Sequence, residues 1–320
     1  MCREALVADT VPGTMMRAAE PRVDNAFADK VRGSLAGYGF LLPWFIGFFG
    51  LTVGPALVSL YLSFTNFDLL TSPDWVGTSN YVRMLTADPK FAAAMRVTLF
   101  FVLFSVPLKL AFALLVAVAL NKGLKGISVY RAIFYLPSLL GGSVAIAVLW
   151  RQLFARDGLV NNALEVFGIN GPSWISTPST SLWTLVLLSV WQFGSPMIIF
   201  LAGLRQIPQD VYEAASLDGA SRWRIFYKIT LPLLTPVIFF NAIVQTIDAF
   251  KAFTPAFVIS GGTGGPINST LFYTLYLYQE AFAYFRMGYA SALAWFLLGM
   301  IALFTAFSFL TSRFWVHYDE

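Results

Sequence analysis

EAASLDGASRWRIFYKITLP, residues 213–232, is a polar and basic stretch set between two long apolar runs. Pro208 suits the first turn of a helix, Asp210 and Glu213 complement its positive end, and Gly219 is placed to stop it in a left-handed cap. Ser221 is positioned to cap a second short helix carrying Arg222, Trp223 and Arg224, and Pro232 opens the apolar run beyond. The stretch therefore predicts two brief helices, with Ala214, Ala215 and Ala220 forming a small-residue surface that another backbone can approach closely. Two readings stand side by side: an amphipathic segment resting on lipid headgroups, or a docking surface for a partner.

The flanking sequence sets the environment. With 58% apolar and only 12% charged residues, the 320-residue chain has too little polar surface to cover a water-soluble globule. Apolar windows long enough to cross about 30 Å of hydrocarbon, about 20 helical residues, recur at 33–67, 132–150, 166–204, 229–247 and 287–312. A sixth, 97–120, is interrupted only by Lys109. These runs exceed strand length and lack strict alternation, so helices satisfy the backbone better than a barrel. The expected fold is an all-α integral membrane protein of six transmembrane helices. With both termini inside, thirteen Lys and Arg fall in inner segments and seven in outer ones. That bias favours an N-in, C-in topology and places residues 213–232 in the cytoplasm. The expected organisation is a cytoplasmic, partly disordered tail over 1–35, a six-helix domain over 36–315 with its loop at 205–231, and a cytoplasmic C-terminus over 316–320.

Several functions are excluded or weakened. The net charge of +4 is a topology signal, and nothing else argues for nucleic acid. The tail mixes acidic and basic residues without the apolar core of a signal peptide. Its single cysteine, Cys2, excludes an internal disulfide and a cysteine metal cluster. The only histidine is His317, so a HExxH metalloprotease site is impossible. No base is paired with a nucleophile, so neither catalytic nor metal-binding residues are assigned, and an intramembrane enzyme is a remote alternative. No G-x-x-x-x-G-K-[ST] phosphate loop is present, so ATP would have to be bound by a partner. An ion-coupled secondary transporter, with Asp248 as the coupling carboxylate, is the other alternative, weakened by the lack of a detectable internal repeat.

Glu213-Ala214-Ala215, three residues, Gly219, nine residues, Ile229, one residue, and Leu231-Pro232 form a pattern that resembles the EAA loop of permease subunits in bacterial ATP-driven (ABC) importers. WVGTSNY (75–81), YLPSLLGG (135–142), LWRQLF (149–154), GLVN (158–161), SGGTGGP (260–266) and YQEAF (278–282) narrow the resemblance to the carbohydrate-importing group, relatives of the maltose and glycerol-phosphate permeases. The resemblance covers about residues 36–312. It implies a type I importer permease fold in the bacterial inner membrane and alternating access. It also implies a second homologous permease, two ATPase subunits that bind ATP and Mg, and an extracytoplasmic solute-binding protein, with no cofactor in this chain. By the same resemblance the loop is a coupling helix. Glu213 anchors the ATPase, Gly219 makes the turn, Ala214 and Ala215 form the close-packing face, and Asp218 and Arg222 complete the contact.

Asn241, Gln245 and Asp248 fall at steps of four and three, on one face of the fifth expected span. Gln192 and Ser195 on the fourth, and Tyr289 and Trp295 on the sixth, complete an assortment suited to a saccharide: amides and a carboxylate for hydroxyls, rings for stacking. Hydrogen bonding between helices is the structural alternative. Lys109 stands mid-span, where a lone charge costs about 3 kcal/mol. It needs either a salt bridge, with Asp248 of this chain or of a second permease as the candidate partner, or an anionic ligand such as a uronic-acid oligomer or sugar phosphate admitted with the help of Lys251. The resemblance implies that the run holding Gly261, Gly262, Gly264 and Gly265 contacts the docked binding protein or shapes the outer mouth, with a flexible turn as the alternative.

Overall fold

The computed structural model describes residues 40–122 and 126–317, so the expected tail over 1–35 and the last three residues lie outside the described residues. The chain divides into two compact units, Met1–Leu57 and Val58–Glu320. In the first, Trp44 stacks on Phe48 with ring centroids 5.0 Å apart, an aromatic one-turn step along a helix. That helix, α1, runs over Phe40–Ser63.

The second unit continues with a small antiparallel ribbon pairing β1 (Thr65–Asn66) with β2 (Asp74–Trp75). The helices that follow are α2 (Ser79–Thr86), α3 (Pro89–Leu120), α4 (Ile127–Leu140), α5 (Val144–Leu153) and α6 (Leu159–Glu165). After them come α7 (Pro178–Trp191), α8 (Gly194–Gln206), α9 (Gln209–Leu217), α10 (Arg222–Ile225), α11 (Thr235–Phe250), α12 (Thr254–Ser260), α13 (Tyr273–Tyr278) and α14 (Met287–Ser312). The 32-residue α3 is the hub, packing on α7, α8, α11 and α13. Ala113 and Ala117 are fully buried and let α8 approach closely through Met197, Phe200 and Leu201. A second core gathers Phe101, Leu185, Tyr273 and Leu293.

Among the described residues four helices are long and apolar enough to cross a membrane: Phe40–Ser63, Pro89–Leu120, Thr235–Ser260 and Met287–Ser312. Two further helix pairs are long and apolar enough only when taken together, and each is bent at a short break, so the number of crossings is four, or six if each bent pair is one span. Ile127–Leu140 and Val144–Leu153 meet at 96°. Gly141 and Gly142 follow Pro137, and the Ser143 hydroxyl accepts the Ile146 amide at 3.3 Å, which starts a new helix. Pro178–Trp191 and Gly194–Gln206 meet at 42°. The run expected at 166–204 is also shorter than predicted, because residues 166–177 form a turn structure. Asn161 holds that structure by donating to the Arg156 and Pro172 carbonyls and accepting from Trp174.

Asp88 ties one end of the bundle together. Its carboxylate caps α3 by accepting the Lys90 and Phe91 amides and also accepts the Tyr276 and Tyr289 hydroxyls. Burial pushes the Asp88 carboxyl up, but the hydrogen bonds from Tyr276, Tyr289, Phe91 and Lys90 outweigh it and hold it below the usual carboxylate range. Asp88→Ala removes a cap and two phenol bonds, and we expect it to destabilise the fold by about 3 kcal/mol in reversible unfolding in detergent at neutral pH. The charged carboxylate's contribution is complete above its unfolded pKa of about 3.9 and is lost as pH falls through the lower native value. The gap between wild type and variant should therefore close only below about pH 4.

Candidate functional site

Two places in the fold gather the residues singled out by sequence. The first is the loop between α8 and α11. α9 begins after Pro208, carries Asp210 in its first turn, and ends where Gly219 takes a φ of 72°, a conformation other residues adopt only with strain. The Ser221 hydroxyl accepts the Arg224 amide and opens α10, which runs on through a π-turn at Phe226–Thr230. Tyr212 and Thr230 share a hydrogen bond of 3.2 Å that fixes the outgoing helix to the returning strand of chain. Glu213, Ala214, Asp218 and Arg222 are exposed on this element. Ala215 is not on that face: it is 9% exposed and packs inward, because helical geometry turns it about 100° from its neighbour. Two residues not assigned to the contact from sequence join the exposed face, Leu217 at 89% and Trp223 at 72% exposure. The signal was their apolar character in an otherwise polar loop. Beside Glu213 lies a notch of about 770 Å³, lined by Asn121, Arg205, Gln209, Tyr212 and Ser216 among others.

The second place is a cavity of about 500 Å³ among α3, the two helix breaks, α11 and the start of α12. Lys109, Gln192, Ser195, Gln245, Asp248 and Lys251 all line it, with Ser138, Gly141, Gly142 and Phe253. Within this chain Lys109 and Asp248 form no salt bridge. Asp248 instead pairs with Lys251 at 3.7 Å, one turn along the same helix, in a pair about 60% exposed. Among the described residues Lys109 has no salt-bridge partner, so its charge faces the cavity.

Three expected path residues lie elsewhere. Asn241 is fully buried in α11, outside the cavity lining. Tyr289 is buried at the Asp88 end, donating to that carboxylate, with Arg83 4.7 Å over its ring. Trp295 is half-buried and does not line the cavity. The glycine run is folded rather than loose. Gly262 accepts from Gln279 at 2.7 Å, and Thr270 holds the Gly264 and Gly265 carbonyls. Gly261 ends α12. The loop borders a separate pocket of about 440 Å³ with Arg151 and Arg156.

A membrane bundle with a folded polar loop at one end and a polar cavity between broken helices has the parts of a transporter subunit. Residues 89–319 match the family described as binding-protein-dependent transport system inner membrane component. The chain belongs to that family. It is 54% identical over 290 residues to the probable ABC transporter permease protein YesP of Bacillus subtilis, covering 90% of this chain and 94% of the relative. It is 34% identical to the lactose transport system permease protein LacF of Rhizobium radiobacter, covering 81% of this chain and 88% of that one. The fold matches a chain in the crystal structure of a bacterial ABC transporter involved in the import of the acidic polysaccharide alginate. That match has a TM-score of 0.73 and 23% identity, over 91% of this chain and 99% of that chain. The chain is therefore a multi-pass permease subunit of a binding-protein-dependent ABC importer.

Proposed function

We propose that this permease forms half of the translocation path of an ATP-driven oligosaccharide importer and receives ATPase motion through the loop at 205–231. The observation that carries the reading is the 500 Å³ cavity, in which Lys109 of α3, Gln192 and Ser195 at the α7–α8 break, and Gln245, Asp248 and Lys251 of α11 and its end line one space inside an apolar bundle. A saccharide matches that lining: Gln192, Gln245 and Asp248 for hydroxyls, and Phe253 as an apolar wall. The sugar relatives support the class, since LacF is named for lactose.

The surplus cation extends the reading to an acidic saccharide. With Asp248 paired to Lys251, Lys109 leaves the cavity net positive. The reading includes six crossings with each bent pair as one, both termini inside, and a second homologous permease closing the path. Two ATPase subunits hold ATP and Mg, and one of them seats on Glu213, Ala214, Asp218 and Arg222 of this chain. Gly219 sets the turn between the two helices of that contact, and Leu217 and Trp223 supply apolar anchors. The binding protein docks at the folded loop of Gly261, Gly262, Gly264 and Gly265.

The test is ATP hydrolysis by the complete importer in liposomes, with maltotriose and trigalacturonate as matched neutral and acidic probes. Stimulation by trigalacturonate above maltotriose is expected. Stimulation by maltotriose alone would remove the acidic substrate, and transport driven by an ion gradient without ATP would remove the ATPase coupling.

A further inference from the structure

The two broken spans are stitched to each other at their breaks. In an unbroken helix the Gln192 carbonyl would accept the amide of residue 196, but that residue is Pro196, which has no N–H to give. The carbonyl accepts the Ser138 hydroxyl instead, at 3.0 Å. The same hydroxyl oxygen accepts the Ser195 amide, also at 3.0 Å. One side chain on α4 thus satisfies two backbone groups at the α7–α8 break, which apolar surroundings would otherwise penalise.

Gln192 returns the contact. Its carboxamide reaches the other break and donates to the Gly141 carbonyl at 3.1 Å. Gly141 makes this possible by having no side chain, since a Cβ there would fall on the Gln192 carboxamide. A carboxamide offers two N–H donors and an acceptor oxygen. With one N–H committed and no other protein hydrogen bond among the described residues, Oε1 and the second N–H remain for a ligand in the cavity that Gln192 lines. Broken helices supply substrate sites in transporters because their ends carry backbone and side-chain groups not used by the helix.

We infer that Ser138 and Gly141 are positioning residues that hold the Gln192 carboxamide at the joint of the two broken spans, where it hydrogen-bonds a substrate hydroxyl. This rests on the reading of the cavity as a saccharide site. Ser138 sets the backbone of residue 192, and Gly141 sets its side chain.

The test is equilibrium binding of radiolabelled trigalacturonate and maltotriose to the detergent-solubilised importer complex without its binding protein, so that affinity reports the cavity. Gln192→Ala and Gly141→Ala are each expected to weaken binding of the preferred probe about tenfold, as loss of a positioned hydrogen bond does. The double variant should be no weaker than Gln192→Ala alone, because both remove one interaction. Gly141 has ordinary helical φ and ψ, so alanine is tolerated by the backbone, and the Ser138 bonds are untouched. Ser138→Ala opens two backbone groups and is checked alongside by thermal unfolding. Unchanged affinity in both single variants, or losses that multiply toward a hundredfold in the double, would overturn the positioning role while leaving the saccharide site in place. A wild-type complex that binds neither probe would sink the site and the positioning role together.

Discussion

Glu213→Ala is expected to lower ATP-driven saccharide uptake by the reconstituted importer about thirtyfold, with the chain still folded and inserted. The side chain is exposed on α9 beside the notch and has no hydrogen bond or salt bridge among the described residues, so its removal takes nothing from this subunit's own stability. What it removes is a charged contact to the docked ATPase, about 2 kcal/mol when such a contact is desolvated at an interface. Copurification of the ATPase should weaken in step. Glu213→Gln keeps a hydrogen-bonding group and should fall between the two. An element that merely rests on lipid headgroups predicts the opposite ranking. There Glu213→Ala would leave uptake unchanged, and only the apolar Leu217 and Trp223 would matter. The structure sharpens the test with a control, since Ala214→Trp meets the partner's surface whereas Ala215→Trp meets the permease's own interior. The first should block ATPase binding in a stable chain, and the second should destabilise the chain itself.

The features legible in the sequence are those whose chemistry is local. Gly219 and Ser221 announced a left-handed cap and an N-cap, and both occur because a helix end must satisfy its backbone within a turn. The four long apolar helices were legible for the same reason: hydropathy is a sum over neighbours. The breaks were not read, although Pro137, Gly141, Gly142 and Pro196 were in view, because an apolar window has no term for a backbone that turns by 96° and stays apolar. Once broken, those ends bring Ser138 and Gly141 to the cavity, which is why neither residue was among the expected path residues. Tyr289 was misplaced for a different reason. Its ring and hydroxyl suit a sugar, yet its partner, Asp88, stands 201 residues away, a separation that no sequence pattern measures. Asn241 shared a helical face with Gln245 as expected, but one turn of depth separates a cavity wall from a packed interface.

Lys109→Met is expected to abolish the preference for acidic over neutral saccharides, lowering trigalacturonate uptake by at least tenfold while maltotriose uptake changes little. The outcome depends on which partner satisfies the charge. A lysine held by a structural salt bridge leaves an unpaired buried carboxylate when it is removed, and the fold pays several kcal/mol. Here Asp248 already has Lys251 at 3.7 Å, and both are well exposed to the cavity, so removing Lys109 orphans no acid. The variant also removes a mid-span charge that costs about 3 kcal/mol when unpaired. Thermal unfolding of Lys109→Met should therefore be unchanged or shifted upward, and Asp248→Asn should not rescue it. Asp248→Asn alone raises the cavity's positive charge and should strengthen trigalacturonate uptake relative to maltotriose. A loss of stability in Lys109→Met that Asp248→Asn restores would instead return both residues to a structural pair and leave the cavity without a charge-selecting group.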